Sequence, residues 1–438
     1  MASQEHGSHE DTVVAFGLST LSETCPLAST SATTLGPIPF PKSASELLQG
    51  LVRQTQLLAC LQWLGKFQIL AYVPLTDTLA YNDLADLAGV PPSQIRRIVR
   101  MAATVGILCE PQPGHVAHTP LSAQIYKKPS YLDAVRFTAE TVVPTSLRMA
   151  DATRRKMQHH QEDANPFRIA TDSSLSLASA CERDHKLHRR AITFRRLTSV
   201  NRTSAVLEML SSVNLEELGQ TVVDVNSTST AIAKSLRCRN PSLHFVVQMH
   251  EGTKQKTESA CSSRRFETSG WLEIQNRAHG TTQNETNAAV YLLHVPDPFF
   301  YASSGAHAEV CVAELRAHFD MLRTNETATV ILIADVVPER SGGDGSPDGP
   351  AAARARLNDL LLLQAGHDVV FDVKRLRALL EFAREGSDRV TVVKQLSSAS
   401  HSSVAFVLRS RSLSSSGPFP WGHESYRVSV RNETTSIG

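Results

Sequence analysis

Three arginines, Arg96, Arg97 and Arg100, fall within five positions of a segment with helical spacing. Guanidinium groups on one helix can meet the phosphates of a nucleic acid, and the same groups can solvate an outer helix face. A denser run, ERDHKLHRRAITFRRLTSVNR, carries Arg183, Lys186, Arg189, Arg190, Arg195, Arg196 and Arg202, interrupted by Glu182 and Asp184. Such a run can dock an acidic surface, hold an anion or stand in water, and the solvated face is the commoner outcome. Of the seven cysteines, none forms a CxxC pair, and their number is odd. That argues against a disulfide framework and against a thiolate zinc site, so no metal ligand set is expected.

The wider charge balance decides between some of these readings. Lys and Arg total 44 against 43 Asp and Glu, a formal net charge of +1. A nearly neutral chain offers no global attraction to nucleic acid or to a membrane surface. The flanks of Arg96, Arg97 and Arg100 are not basic either, which favours a solvated helix face there. No basic stretch followed by an apolar one opens the chain, and no uncharged run approaches the roughly 18 apolar residues of a membrane span. A soluble intracellular protein is the expectation. With 438 residues, 41% of them hydrophobic, the chain can fill one large core and one smaller one.

These residues need elements to position them. Residues 1–42 are rich in Ser, Thr, Gly and Pro and read as a disordered tail, as do residues 411–438. A helical run from Ser45 to about Tyr72 opens the first folded unit, residues 43–150. Asn82 is placed to cap a short helix through Leu87, and Gly89 with Pro91-Pro92 to end it. Ser93 is placed to cap a second helix, with Ile95, Ile98, Val99 and Ala102 inward and Gly106 at its end. The pieces ILCEP and HVAHT then read as a small hairpin, and the whole as a winged helix-turn-helix. A helical stretch follows over residues 131–160, and the basic run near 183–202 is expected on a helix. From about Gln220 the pattern alternates between short apolar runs and helices: TVVDV, LHFVVQM, AVYLLHV and ATVILIADVV. That predicts a mostly parallel, doubly wound sheet over residues 151–410. RVTVVKQL and SSVAFVLR are close enough for an antiparallel hairpin at one edge, and ERSGGDGSPDGPAA reads as a surface loop.

The phrases LADLAGVPPSQIRRIVRMAATVGIL…GHVAHTPLSA, LHRRAITFRRLTS, NPSLHFVVQM and YLLHVPDP resemble the small-molecule O-methyltransferases of fungi and plants, over roughly residues 45–410. The resemblance implies an N-terminal winged-helix dimerisation domain that builds a homodimer and does not bind DNA. It also implies a Rossmann-like class I methyltransferase domain. In such enzymes a glycine-rich turn after the first strand approaches the carboxylate of S-adenosylmethionine; here that strand ends at Asp224 and the turn is Asn226-Ser227-Thr228-Ser229-Thr230, without glycine. The acid expected at the end of the second strand is replaced by Met249, with His250-Glu251 following, and the adenine-reading acid by Gly280. His294 matches the general base of the family, but Val295 stands where its Asp neighbour belongs and Asp297 is displaced. The resemblance therefore implies no cofactor and no catalytic residue, with His294 a vestigial base.

One branch of this superfamily shows the same losses. The opening LVRQTQLLACLQWLGKFQILAYVPL, the winged-helix phrase and the DVNSTST turn resemble the fungal co-activators of aflatoxin-type polyketide clusters. That branch implies a nuclear protein working with a cluster-specific binuclear zinc-cluster transcription factor on genes for an anthraquinone or related polyketide. The alternative is an active O-methyltransferase of a polyketide phenol.

Overall fold

The computed structural model describes residues 41–159, 164–198, 202–250, 266–339, 349–384 and 390–410. Most of the two expected tails, most of the loop at 339–352, and Glu251 lie outside the described residues.

Helix α1 spans Ala44–Lys66, its first turn capped by the Ser43 hydroxyl, which accepts from the Glu46 N–H. The predicted run to Tyr72 is interrupted: Gln68 takes a left-handed conformation (φ 55°), and a short helix, Ile69–Tyr72, follows. Strand β1 (Leu79–Ala80) leads into α2 (Tyr81–Ala88). Gly89 ends α2 at φ 65°, a conformation that costs glycine nothing. Helix α3 spans Pro92–Ala103. Both helices begin one residue before the expected caps. Neither Asn82 nor Ser93 caps; Ala80 and Pro91 flank the starts, and Pro92 supplies the preset φ of a first helical position. After α3, Cys109 and Ala117 exchange backbone hydrogen bonds of 3.0 and 2.9 Å, closing the expected loop. Strand β2 (His115–Val116) pairs antiparallel with β1 and so ties the loop back to the start of α2. Leu64, Ile69, Leu84, Ile95, Val99, Leu108 and Val116 form a buried cluster among these elements.

The predicted helix over 131–160 is broken into Ser130–Phe137, a π-helical turn at Thr138–Val142, Val143–Ser146 and Met149–His159. Pro144 cannot donate to the ladder, which fits a break there. The basic run is split across three helices: Arg183 ends a helix over Leu177–Arg183, and the rest lies on α4 (His185–Thr198) and α5 (Arg202–Leu210).

The apolar runs form strands β3 (Thr221–Val225), β4 (His244–Met249), β5 (Phe266–Ser269), β6 (Leu272–Asn276), β7 (Val290–His294), β8 (Thr329–Asp335), β9 (Val390–Ser397) and β10 (Ser403–Ser410). They make one eight-stranded sheet in the order β5-β6-β4-β3-β7-β8-β10-β9. Strands β6, β4, β3, β7 and β8 run parallel. Strand β10 pairs antiparallel with both β8 and β9, which is the edge hairpin read from the sequence. Strand β5, antiparallel to β6, adds a strand that the sequence pattern did not separate.

Continuous apolar runs are what a strand covered on both faces requires. One face is packed by helix α7 (Ser304–Thr324) and helix α9 (Val373–Arg384), through Leu315, Phe319, Leu376 and Leu380. The other is packed by α5 and by α6 (Ala231–Arg239), through Val206, Met209, Ile232 and Leu236. Helix α8 (Pro350–Ala365) joins α4 and Phe299 in a further cluster with Phe137 and Phe194.

Candidate functional site

Strand order reverses between β3 and β7, so the crevice beyond their carboxyl ends is the position where a doubly wound sheet takes its ligand. Four of the residues singled out in the sequence, Asn226, Ser227, Thr228 and Ser229, meet His294 around a cleft of about 240 Å³ there. Arg196 of α4 and Arg202 and Thr203 of α5 complete one wall.

The β3–α6 turn holds its shape without glycine. Asn226 itself takes the left-handed conformation (φ 58°), which asparagine tolerates better than most side chains. Its side-chain Nδ2 donates to the His294 carbonyl at 3.1 Å, locking the turn to β7. The Ser227 N–H donates to Gln248 O at 3.0 Å, and its hydroxyl donates to Ser229 O at 2.8 Å. Ser227 is buried and Thr230 leads into α6. Polar side chains thus occupy the turn and bond within it or to the neighbouring strand.

Asp224 and His294 stand side by side on parallel neighbours β3 and β7. The His294 Nε2 lies 2.9 Å from Asp224 Oδ1, with both side chains buried. The pairing supplies from the adjacent strand the carboxylate that Val295 fails to supply in sequence. Asp297, displaced in the sequence, goes elsewhere. Arg195 donates to its two carboxylate oxygens at 2.8 and 2.9 Å. Burial pushes the Asp297 pKa up, but the charge and hydrogen bonds of Arg195 outweigh that and hold it below the usual carboxylate range.

Farther along the carboxyl edge, Met249 ends β4 half-buried against the sheet core. The next residue, His250, stacks on His279 with ring centroids 4.1 Å apart. The His279 Nδ1 lies 2.6 Å from the Tyr301 hydroxyl. Burial, with the nearby His250 and Arg277, draws the His279 pKa down to about 3, so the ring is neutral at physiological pH. Gly280 has φ 72° and donates its N–H to the Glu314 carboxylate, which also takes the buried Arg277 guanidinium. Gln283 and Gln248 exchange hydrogen bonds of 2.8 and 2.9 Å, and Gln283 also reaches His318 at 3.3 Å. Sequence reasoning missed this buried polar cluster, because its members come from β4, the β6–β7 connection and α7.

These residues do not fit S-adenosylmethionine. The turn that should bring bare backbone to a carboxylate carries side chains, and the thioether of Met249 cannot accept from ribose hydroxyls. Gly280, in the adenine-reading position, offers no side chain, and its N–H is already spent on Glu314.

The basic run has partners of its own. Besides Arg195 with Asp297, Arg190 pairs with Glu140 at 2.8 Å, Arg189 with Asp133 at 3.2 Å and Arg202 with Asp335 at 3.3 Å. Much of the run therefore binds α4 and α5 to the rest of the chain, where a solvated face was expected. On α3, Arg100 bonds Glu110 at 2.7 and 3.1 Å, and Arg96 lies over the Tyr81 ring at 5.5 Å. Hydrogen bonds from Arg100 and from the Gly114 N–H hold the Glu110 carboxyl at a pKa of about 2. Among the described residues, no group of three or more His, Cys, Asp or Glu is placed to hold a metal ion, and no helix is long and apolar enough to cross a membrane.

No family model matches the chain. Curated relatives do. The dothistromin biosynthesis regulatory protein aflJ of Dothistroma septosporum is 35% identical over 383 residues, covering 83% of both chains. A transcriptional coactivator of Pseudocercospora fijiensis is 36% identical over 359 residues, 82% of this chain and 96% of that one. The aflatoxin cluster transcriptional coactivator aflS of Aspergillus flavus is 32% identical over 383 residues, 84% of this chain and 85% of that one. Among solved structures, the mitomycin 7-O-methyltransferase MmcR matches with a TM-score of 0.55 at 16% identity, over 84% of this chain and 98% of that chain. A pericyclic reaction enzyme matches with a TM-score of 0.59 at 12% identity, over 84% and 90%. At such low identity these likenesses speak for the fold alone, an α/β fold of the methyltransferase type.

Proposed function

This chain belongs to the family of transcriptional coactivators of fungal secondary-metabolite gene clusters, and from that premise we propose that it raises cluster transcription without methyl transfer, by engaging a binuclear zinc-cluster transcription factor. The observation that carries the reading is the remodelled carboxyl edge of the sheet. The scaffold of a methyltransferase is kept, while Asn226–Thr230, Met249 and Gly280 have been turned to internal contacts. His294, the base candidate, is buried against Asp224. An active O-methyltransferase of a polyketide phenol would need a methyl donor at this edge, and the residues there do not suit one.

The helix, turn, helix and closed loop between Tyr81 and Ala117 would serve as a winged-helix unit for dimerisation, not for DNA binding. Arg96 and Arg100 being engaged on Tyr81 and Glu110 supports that reading. Helix α1 leaves Leu47, Leu48, Leu51 and Val52 about half exposed or more, a stripe suited to a second copy. Action with a transcription factor would put the protein in the nucleus. The folded units would divide near residue 150, with tails at residues 1–42 and 411–438.

Co-precipitation tests the proposal. The tagged chain should retain the zinc-cluster factor of its own gene cluster from producing mycelium, and titration with S-adenosylmethionine should give no saturable heat. Micromolar cofactor binding together with absence of the factor would sink it.

A further inference from the structure

The cleft at the switch point has a lining that neither coactivation nor methyl transfer explains. Arg196 and Arg202 reach it from α4 and α5, and Ser227, Thr228 and Ser229 from the opposite side. Among the described residues lining it, none is acidic. Helix α6 starts at the same turn, where the Ser229 hydroxyl accepts from the Ala231 N–H at 3.3 Å, and Ile232 of its first turn borders the cleft. The positive end of that helix adds to the field of the two guanidinium groups. Arg202 also pairs with Asp335 through Nε at 3.3 Å, so its charge is partly shared.

Size narrows the ligand. At about 240 Å³ the cleft is smaller than the roughly 300–1,000 Å³ that drug-sized ligands occupy. Charge narrows it further, because two guanidinium groups favour a ligand of net negative charge, whereas the sulfonium and ammonium of S-adenosylmethionine outweigh its carboxylate and leave it net positive. We propose that this cleft binds a compact oxyanion, a phosphate monoester or a carboxylate, between the guanidinium groups of Arg196 and Arg202 and the exposed hydroxyls of Thr228 and Ser229. Guanidinium forks and hydroxyl donors are the groups that recognise such oxygens. The inference concerns binding alone and does not depend on the coactivator reading.

Isothermal titration of the full chain at fixed ionic strength tests it, with inorganic phosphate, benzoate and S-adenosylhomocysteine as separate probes. Phosphate, benzoate or both should saturate. Saturation by one of them alone identifies the oxyanion class. Arg196→Gln should weaken that binding roughly tenfold or more, as expected for losing a charge-assisted hydrogen bond. Thr228→Glu, at an exposed position of the turn, should weaken it at least as much by placing a negative charge in the cleft, and serves if the arginine variant fails to fold. Arg97→Gln, on α3, should leave it unchanged. Failure of both anions to saturate, variants that bind like wild type, or tighter binding of S-adenosylhomocysteine than of either anion would each overturn the proposal.

Discussion

The His294 Nε2 lies 2.9 Å from the Asp224 Oδ1, across the gap between parallel strands β7 and β3, and both side chains are buried. The second carboxylate oxygen of Asp224 has no hydrogen-bond partner among the described residues, so the imidazole is the carboxylate's chief compensation. A group that resembles a catalytic base has a structural task here. Replacing His294 with Ala should strand a buried carboxylate and cost about 3 kcal/mol or more. The double variant Asp224→Asn, His294→Gln removes the charge and should recover much of that loss. Urea denaturation of the two variants and wild type measures both effects; equal losses would refute the coupling.

Gly280 is fixed by its backbone. At φ 72° an added Cβ would also sit 3.0 Å from the Ala313 Cβ of α7. Gly280→Ala should therefore cost about 1–2 kcal/mol, read from the denaturation midpoint. A neutral result would mean that the β6–β7 connection relaxes freely, and that the Glu314 contact does not hold it.

Acid should loosen the molecule before its carboxylates titrate. His279 and His307 have pKa values drawn down to about 3 and about 4, chiefly by burial, from an ordinary 6.5. The folded state thus resists protons that the unfolded chain accepts. The stability this represents is fully present above pH 6.5 and declines as pH falls toward those folded values. Each such histidine contributes a slope of up to about 1.4 kcal/mol per pH unit in that window. Denaturation midpoints at pH 7 and pH 5.5 should differ clearly, and His279→Phe should shrink the difference. A pH-independent midpoint would contradict the buried neutral rings.

The arginines of the basic run should divide into two classes. Arg195 makes two hydrogen bonds to Asp297, a third to Asn358 and lies over the Phe299 ring at 5.0 Å. Its replacement by Ala leaves a largely buried carboxylate behind and should cost about 3 kcal/mol. Arg183 is exposed, and Arg183→Ala should change stability by less than about 0.5 kcal/mol. Thermal unfolding of the two variants distinguishes them, and equal shifts would show the run to be a uniform solvated face.

The difference between those arginines explains what the sequence could and could not disclose. Strands β3, β4, β7 and β8 are continuous apolar runs because both faces are covered, and the β9–β10 hairpin follows from two such runs in close succession. Local pattern sufficed there. The partner of Arg195 lies 102 residues away, so no window on the chain links a basic run to Asp297. The same holds for the His250–His279 stack and for Arg277 with Glu314, which meet after the sheet is assembled. Helix breaks at Gln68 and at 138–142 carry no glycine to announce them. The absence of glycine in Asn226–Thr230 was plain from the residues; that Asn226 would take the glycine conformation and bond across to β7 was not.

If the chain activates transcription without transferring a methyl group, its imidazole at position 294 is dispensable for that role. The measurement is of cluster transcript levels in a strain lacking this chain, complemented with His294→Gln, which keeps a hydrogen-bonding partner for Asp224 but removes the imidazole. At matched protein abundance, the account predicts transcripts restored to the wild-type level. Transcripts that stay at the level of the deletion strain would show that the imidazole acts chemically and would contradict it.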